Sequence, residues 1–172
     1  MLIVLVLVIG GCTTTELVDA HEAEIFERGC TSQIFAPDIT GADYASSSVT
    51  IGPVTFAGLT GGGSPGTERP DGRIPAAKTP TQIAAGDGPV WVVLTDPEAS
   101  HLLYDTKSFG LSGLYDFDAG SVGVRFERCG NGYTSYNGGF LLKSTVCAEV
   151  AVYDGSLDAT PAVGTVEFNQ TC

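Results

Sequence analysis

The chain has 172 residues and a net charge of −12, from 8 basic and 20 acidic side chains; 43% of its residues are hydrophobic and 16% charged. A chain this apolar can bury a core, which excludes wholesale disorder, and its length fits one domain. The acid excess excludes nucleic-acid binding, which needs a basic face, and it keeps the chain off an anionic membrane surface, so it reads as solubility.

Taken in chain order, the first feature is an unbroken apolar run, Leu2 to Ile9, closed by Gly10-Gly11-Cys12. With its glycines the run is about eleven residues, and a membrane-spanning helix needs about 20. A buried strand would tolerate the Leu, Ile and Val but not the Gly-Gly-Cys-Thr-Thr-Thr that follows. A greasy segment, two small residues and a cysteine match a bacterial lipoprotein signal, in which Cys12 receives the lipid. No Lys or Arg precedes the run, leaving the α-amino group as its positive end unless the start lies upstream. Residues 1–11 are therefore expected to be a signal peptide. Residues 12–28, Thr-rich and then acidic, read as the lipidated cysteine and a flexible tether, although Glu22 to Arg28 can also make a helical turn or two. Residues 29–172 form the single domain.

Strand candidates follow from alternation and β-branched content. Ser48 to Leu59 is the first, with a bend or edge expected at Gly52-Pro53. A loop-forming stretch, Thr60 to Gly72, leads to a broken strand at Ala76 to Ala84. Gly86-Asp87-Gly88 predicts a hairpin turn into Val90-Trp91-Val92-Val93-Leu94, a continuously apolar and central strand. Thr95 to Ser100 predicts a short capped helical turn carrying His101-Leu102-Leu103-Tyr104, with Pro97 in the first turn. Ser121 to Arg128 alternates, with Val122, Val124 and Phe126 on one face. Gly138 to Lys143, Val146 to Tyr153 and Val163 to Phe168 complete the set. Short strands at this spacing predict an all-β antiparallel sandwich, with an Ig-like fold or a small barrel as alternatives. The expected core is Trp91, Val93, Val122, Val124, Phe126, Leu141, Val150, Val152, Val166 and Phe168, with Arg125 and Lys143 outside.

The chain has five cysteines. Setting Cys12 aside for the lipid leaves Cys30, Cys129, Cys147 and Cys172, an even four. Zinc sites use closely spaced cysteine pairs, which this chain lacks, so two disulfides in an oxidising compartment are expected. Four cysteines allow three pairings. Cys129–Cys147 and Cys30–Cys172 are favoured, the first flanking a glycine-rich connection and the second tying the domain's ends.

A set of short elements stands in this order along the chain: Ile51-Gly52-Pro53-Val54-Thr55-Phe56, Leu102-Leu103-Tyr104-Asp105, Val124-Arg125-Phe126-Glu127-Arg128-Cys129, Tyr136-Asn137-Gly138-Gly139-Phe140, Cys147 and Cys172. Together, over residues 46–172, they resemble an uncharacterised group of secreted or lipid-anchored actinobacterial proteins. The resemblance implies an exported β-rich domain and supplies no catalytic residue or ligand.

Candidate chemistry is sparse. His21 lies in the tether, and His101 follows Ser100 without a nucleophile-elbow motif. The carboxylates Asp105, Asp116, Asp118, Glu127 and Glu149 are too common in an acidic chain to single out a hydrolytic pair. Asp116-Phe117-Asp118-Ala119-Gly120 resembles the front of a calcium loop but puts Ala119 where a ligand is needed, so no cofactor is expected, with calcium at Asp116 and Asp118 as the alternative. Tyr133, Tyr136 and Asn137, in a glycine-rich stretch, read as an exposed binding loop or as packing under a disulfide. Asn169-Gln170-Thr171 fits a glycosylation sequon, an accidental match in a bacterial lipoprotein. The expected function is a non-enzymatic lipoprotein on the outer face of the bacterial plasma membrane, meeting a cell-wall polymer or envelope protein. The alternative is an envelope hydrolase using carboxylates or His101.

Overall fold

A computed structural model describes residues 25–34, 47–60, 66–105, 113–169 and 172. The signal segment, Cys12 and the tether as far as residue 24 lie outside the described residues. So do Gln170 and Thr171.

The described chain is all-β. Its strands are β1 (Ile25–Arg28), β2 (Ser48–Ile51), β3 (Val54–Ala57), β4 (Ile74–Lys78), β5 (Thr81–Ile83), β6 (Val90–Leu94) and β7 (Ser100–Leu103). After them come β8 (Leu114–Tyr115), β9 (Gly123–Phe126), β10 (Thr134–Tyr136), β11 (Gly139–Leu142), β12 (Cys147–Asp154) and β13 (Ala162–Glu167). Short 3-10 turns occupy Cys30–Ser32 and Phe117–Ala119.

One layer is a five-stranded sheet in the order β1-β9-β6-β12-β13. Only β1 is parallel to its neighbour; the other pairs are antiparallel. The apolar run at Val90–Leu94 is its central strand, as its composition predicts. The opposing layer consists of β10-β5-β3-β2 and β7-β11-β4-β8. These two pieces are halves of one bent sheet. Lys78 faces Gly139 and Thr81 faces Tyr136, so the register runs unchanged across the break. The Thr79 N–H donates to the Gly138 carbonyl at 2.8 Å, holding the two strands together at the bend. Pro80 lacks an N–H for the ladder, which suits it to such a break.

The core lies between the layers. Val90, Val92, Leu94, Val124, Phe126, Val150 and Val152 face Val54, Phe56, Ile83, Leu102, Tyr104, Tyr136 and Phe140. Side-chain period two explains the choice: along β9, Val124 and Phe126 are buried while Arg125 is half-exposed. Of the expected core, Val93, Val122, Val124, Phe126, Leu141, Val150, Val152, Val166 and Phe168 are buried. Trp91 is not; it is half-buried. The inward face of β6 is Val90, Val92 and Leu94, so Trp91 and Val93 point outward, into a small cluster with Ala151 and Tyr153. The Trp91 ring lies 5.6 Å from the Arg125 guanidinium.

Three local expectations need correction. The acidic composition suits a tether through residue 28, yet Ile25–Arg28 is β1, paired with β9 from Ile25↔Gly123 to Arg28↔Phe126. The ladder to β9 and the packing of Phe26 against the core outweigh the charge of Glu27. His101–Leu103 is strand rather than helix: the Asp96 carboxylate accepts the Ala99 N–H at 3.3 Å, the turn ends, and β7 pairs with β11. Gly86-Asp87-Gly88 turns the chain but makes no hairpin, because β5 and β6 belong to opposite layers.

The cysteines form two disulfides, Cys30–Cys129 and Cys147–Cys172. The expected pairing, Cys129–Cys147 with Cys30–Cys172, is wrong for a topological reason. β9 and β12 are not a hairpin; β6 lies between them. The parallel pairing of β1 with β9 instead carries Cys30 to Cys129. Pairing of β12 with β13, extended by the Phe168 N–H donating to Val146 O at 2.9 Å, leads the C-terminus to Cys147. The bridges span 99 and 25 residues. Loop-entropy reasoning gives about 4–5 kcal/mol for the longer and about 3–4 kcal/mol for the shorter. Peptide mapping without reductant should therefore recover Cys30–Cys129 and Cys147–Cys172. The double serine variant at Cys30 and Cys129 should lose more stability in urea than the one at Cys147 and Cys172.

Candidate functional site

Two places gather polar side chains. The first is the end of the sandwich where β1 finishes. Arg28 occupies an inward position on β1, where the pattern calls for an apolar residue, and it is 2% exposed. Its guanidinium donates to the Ser32 hydroxyl and carbonyl, each at 2.9 Å, to Asn137 O at 3.2 Å and to Tyr104 O. It also lies 5.3 Å from the centre of the Tyr136 ring. Burial lowers its pKa, while Tyr136, Tyr104 and the charge of Asp105 favour the cation.

Tyr136 belongs to this cluster and not to an exposed loop. It lies in β10 and is fully buried. Its hydroxyl donates to Glu127 O at 2.6 Å and sits 3.5 Å from the Cys129 sulfur. The expected surface trio thus separates: Tyr133 and Asn137 are exposed, Tyr136 packs against Phe126 and the disulfide. Three strand residues in a row, Thr134 to Tyr136, alternate about the sheet, and Tyr136 falls on the inner face. Gly138, just beyond, lies against the ring of Tyr104, leaving no space for a Cβ. The Tyr104 hydroxyl bonds Thr81 Oγ1 and donates to Thr79 O at 3.1 Å.

The second place is a surface depression of about 400 Å³, lined by His101, Asp118, Gly120, Ser121 and Val122. β7 supplies His101; the 3-10 turn and the approach to β9 supply the rest. His101 stacks on Phe117 with ring centres 4.0 Å apart, and its Nδ1 is 2.9 Å from Phe117 O. Gly120 permits this closeness, since a Cβ there would stand 2.6 Å from the His101 Cβ. Leu102 and Ser121 exchange backbone hydrogen bonds at 2.8 Å, joining the two layers at this edge. The Ser121 hydroxyl lies 3.0 Å from Gly123 O and 3.3 Å from Leu102 O. Among the described residues it makes no hydrogen bond to His101.

The other candidates are dispersed. Asp105 follows β7, Glu127 follows β9 and accepts the Cys30 N–H at 3.3 Å, and Glu149 on β12 accepts the Thr95 hydroxyl at 2.6 Å. Asp116, just before the 3-10 turn, and Asp118, within it, are exposed. Among the described residues no group of three or more His, Cys, Asp or Glu side chains is placed to hold a metal ion. Arg28, Gly120 and Ser121 carry no signal in the sequence that marks them for these places. No protein-family model, curated protein or solved structure matches the chain.

The buried phenols make stability depend on alkaline pH. Burial pushes Tyr136 up to about 12 and raises Tyr104 as well. In the unfolded chain tyrosine titrates near 10. Above that pH the unfolded state has lost protons that the folded state keeps, so stability falls as pH rises. The melting temperature should show no loss from these phenols up to about pH 10 and should drop between about pH 10 and 12. A Tyr136→Phe variant should show a shallower drop over that window.

Proposed function

We propose that the protein is a cell-envelope lipoprotein, held on the outer face of the bacterial plasma membrane by lipid on Cys12. Its β-sandwich then has a non-enzymatic binding or structural role, directed at a cell-wall polymer or another envelope protein. The cysteine arrangement carries the reading. Four of the five cysteines pair in two bridges, and Cys12, behind Ile9-Gly10-Gly11, stands apart from them. Disulfides of this kind belong to oxidising compartments. The resemblance to exported actinobacterial proteins points the same way.

Twelve residues, 13–24, separate Cys12 from β1. Fully extended they reach about 40 Å, enough to lift a domain clear of lipid headgroups. One acyl chain holds a protein only marginally; two give stable attachment, and a diacylglycerol on Cys12 supplies two. A binding role is favoured over the hydrolase alternative because, among the described residues, His101 and Ser121 hydrogen-bond to backbone carbonyls and not to each other.

Radiolabelled palmitate fed to expressing cells should enter the protein and leave it in the membrane fraction. Cys12→Ala should lose the label and move the protein out of that fraction. Label retained by Cys12→Ala would contradict the anchor.

A further inference from the structure

We propose that the depression beside β7 binds a primary ammonium group. Hydrogen-bond capacity at this site, independent of the lipid anchor, selects such a ligand. A carbonyl only accepts, so the 2.9 Å contact between His101 Nδ1 and Phe117 O places the proton on Nδ1. In the neutral ring Nε2 is then an acceptor. Asp118 contributes a carboxylate, also an acceptor, at an exposed position on the rim. Ser121 has one hydroxyl proton, and both of its partners, Gly123 O and Leu102 O, are carbonyls. That proton is committed, and the oxygen is left to accept.

With the His101 ring neutral, the three polar side chains of this lining all offer acceptors, and none offers a free donor. A ligand must bring the donors. An alkylammonium has three N–H donors and no acceptor, which matches this set in number and kind. Its charge suits Asp118 and a chain of net charge −12. A carboxylate or phosphate ligand would face the lone pairs of these three side chains. Lys143, whose Nζ lies 5.6 Å from the Phe117 ring centre, is not part of the lining. A volume of about 400 Å³ admits the ammonium with several carbons of its stem. The geometry is held in place by the His101–Phe117 stack and by the lack of a Cβ at Gly120. The same ammonium chemistry is carried by a free lysine side chain and by an amino sugar.

The test is a nuclear magnetic resonance titration of the full chain at neutral pH, reading the His101 ring. Only two histidines are present, and His101→Gln assigns the signal. The probes are Nα-acetyl-lysine methylamide and glucosamine. Their neutral counterparts are Nα-acetyl-norleucine methylamide and N-acetylglucosamine, with sodium chloride matching ionic strength. We expect saturable shifts of the His101 ring with the ammonium probes and not with the neutral ones or with salt; the tighter probe identifies the carrier. Asp118→Asn should weaken binding roughly tenfold, the scale of one charge-assisted hydrogen bond, at an unchanged melting temperature. Ser121→Ala is the second variant and should weaken it less. Equal shifts from the neutral probes or from salt, no shift from either ammonium probe, or unchanged affinity in Asp118→Asn would each overturn the proposal.

Discussion

The rest of this structure depends on a buried guanidinium. Arg28 sits at the end of β1, in the five-stranded layer, and donates to carbonyls of Tyr104 and Asn137 in the opposing one. An unpaired charge in such a place would cost several kcal/mol. Here its donors meet oxygens at the bend of the second layer, where the break between β10 and β11 leaves the Asn137 carbonyl outside the ladder. Around that contact stand the Tyr136 ring, the Tyr104 backbone and the Cys30–Cys129 bridge. Each constrains the same corner: the bridge closes β1 onto the end of β9, Tyr136 ties β10 to Glu127, and Arg28 joins the layers.

The outer features follow from that corner. β1 runs from Ile25, opposite Gly123, to Arg28, opposite Phe126. The Ser121–Val122 wall of the depression therefore lies close to where the chain enters the sheet, and the locked corner lies at the other end of the strand. Under the anchored reading, a pull on the tether travels along β1 and arrives at the guanidinium and the disulfide. A parallel edge strand added to an otherwise antiparallel sheet suits that task, since it also covers the exposed edge of β9.

The fold class was legible because alternation is a local property. Val122, Val124 and Phe126 declare an inner face without knowledge of any neighbour, and the apolar run at β6 declares a central strand. What stayed hidden depends on partners distant in sequence. Ile25 to Arg28 reads as the end of a charged spacer until β9 is placed beside it, and Arg28 then turns out to be a buried cation. The disulfide pairing failed for the same reason: Cys129 and Cys147 look like the ends of a hairpin only if β6 is not inserted between their strands. Tyr136 shows the limit most clearly. Tyr133 and Asn137, on either side of β10, are exposed as their glycine-rich surroundings imply, yet strand parity turns Tyr136, the last residue of β10, onto the inner face. The depression at His101 was illegible too, because Phe117, Gly120 and Ser121 meet His101 through the layer-crossing bridge and not through any motif.

The most direct measurement is the urea unfolding free energy of Arg28→Met, a substitution of similar length that keeps both bridges and removes the donors. If Arg28 holds the layers together, the variant should lose about 3 kcal/mol, since the buried carbonyl of Tyr104 and the part-buried carbonyls of Ser32 and Asn137 lose their donor. Amide hydrogen exchange should then rise first in β1 and at the β10–β11 bend. Stability within about 0.5 kcal/mol of the parent, the range of an ordinary surface change, would contradict the account.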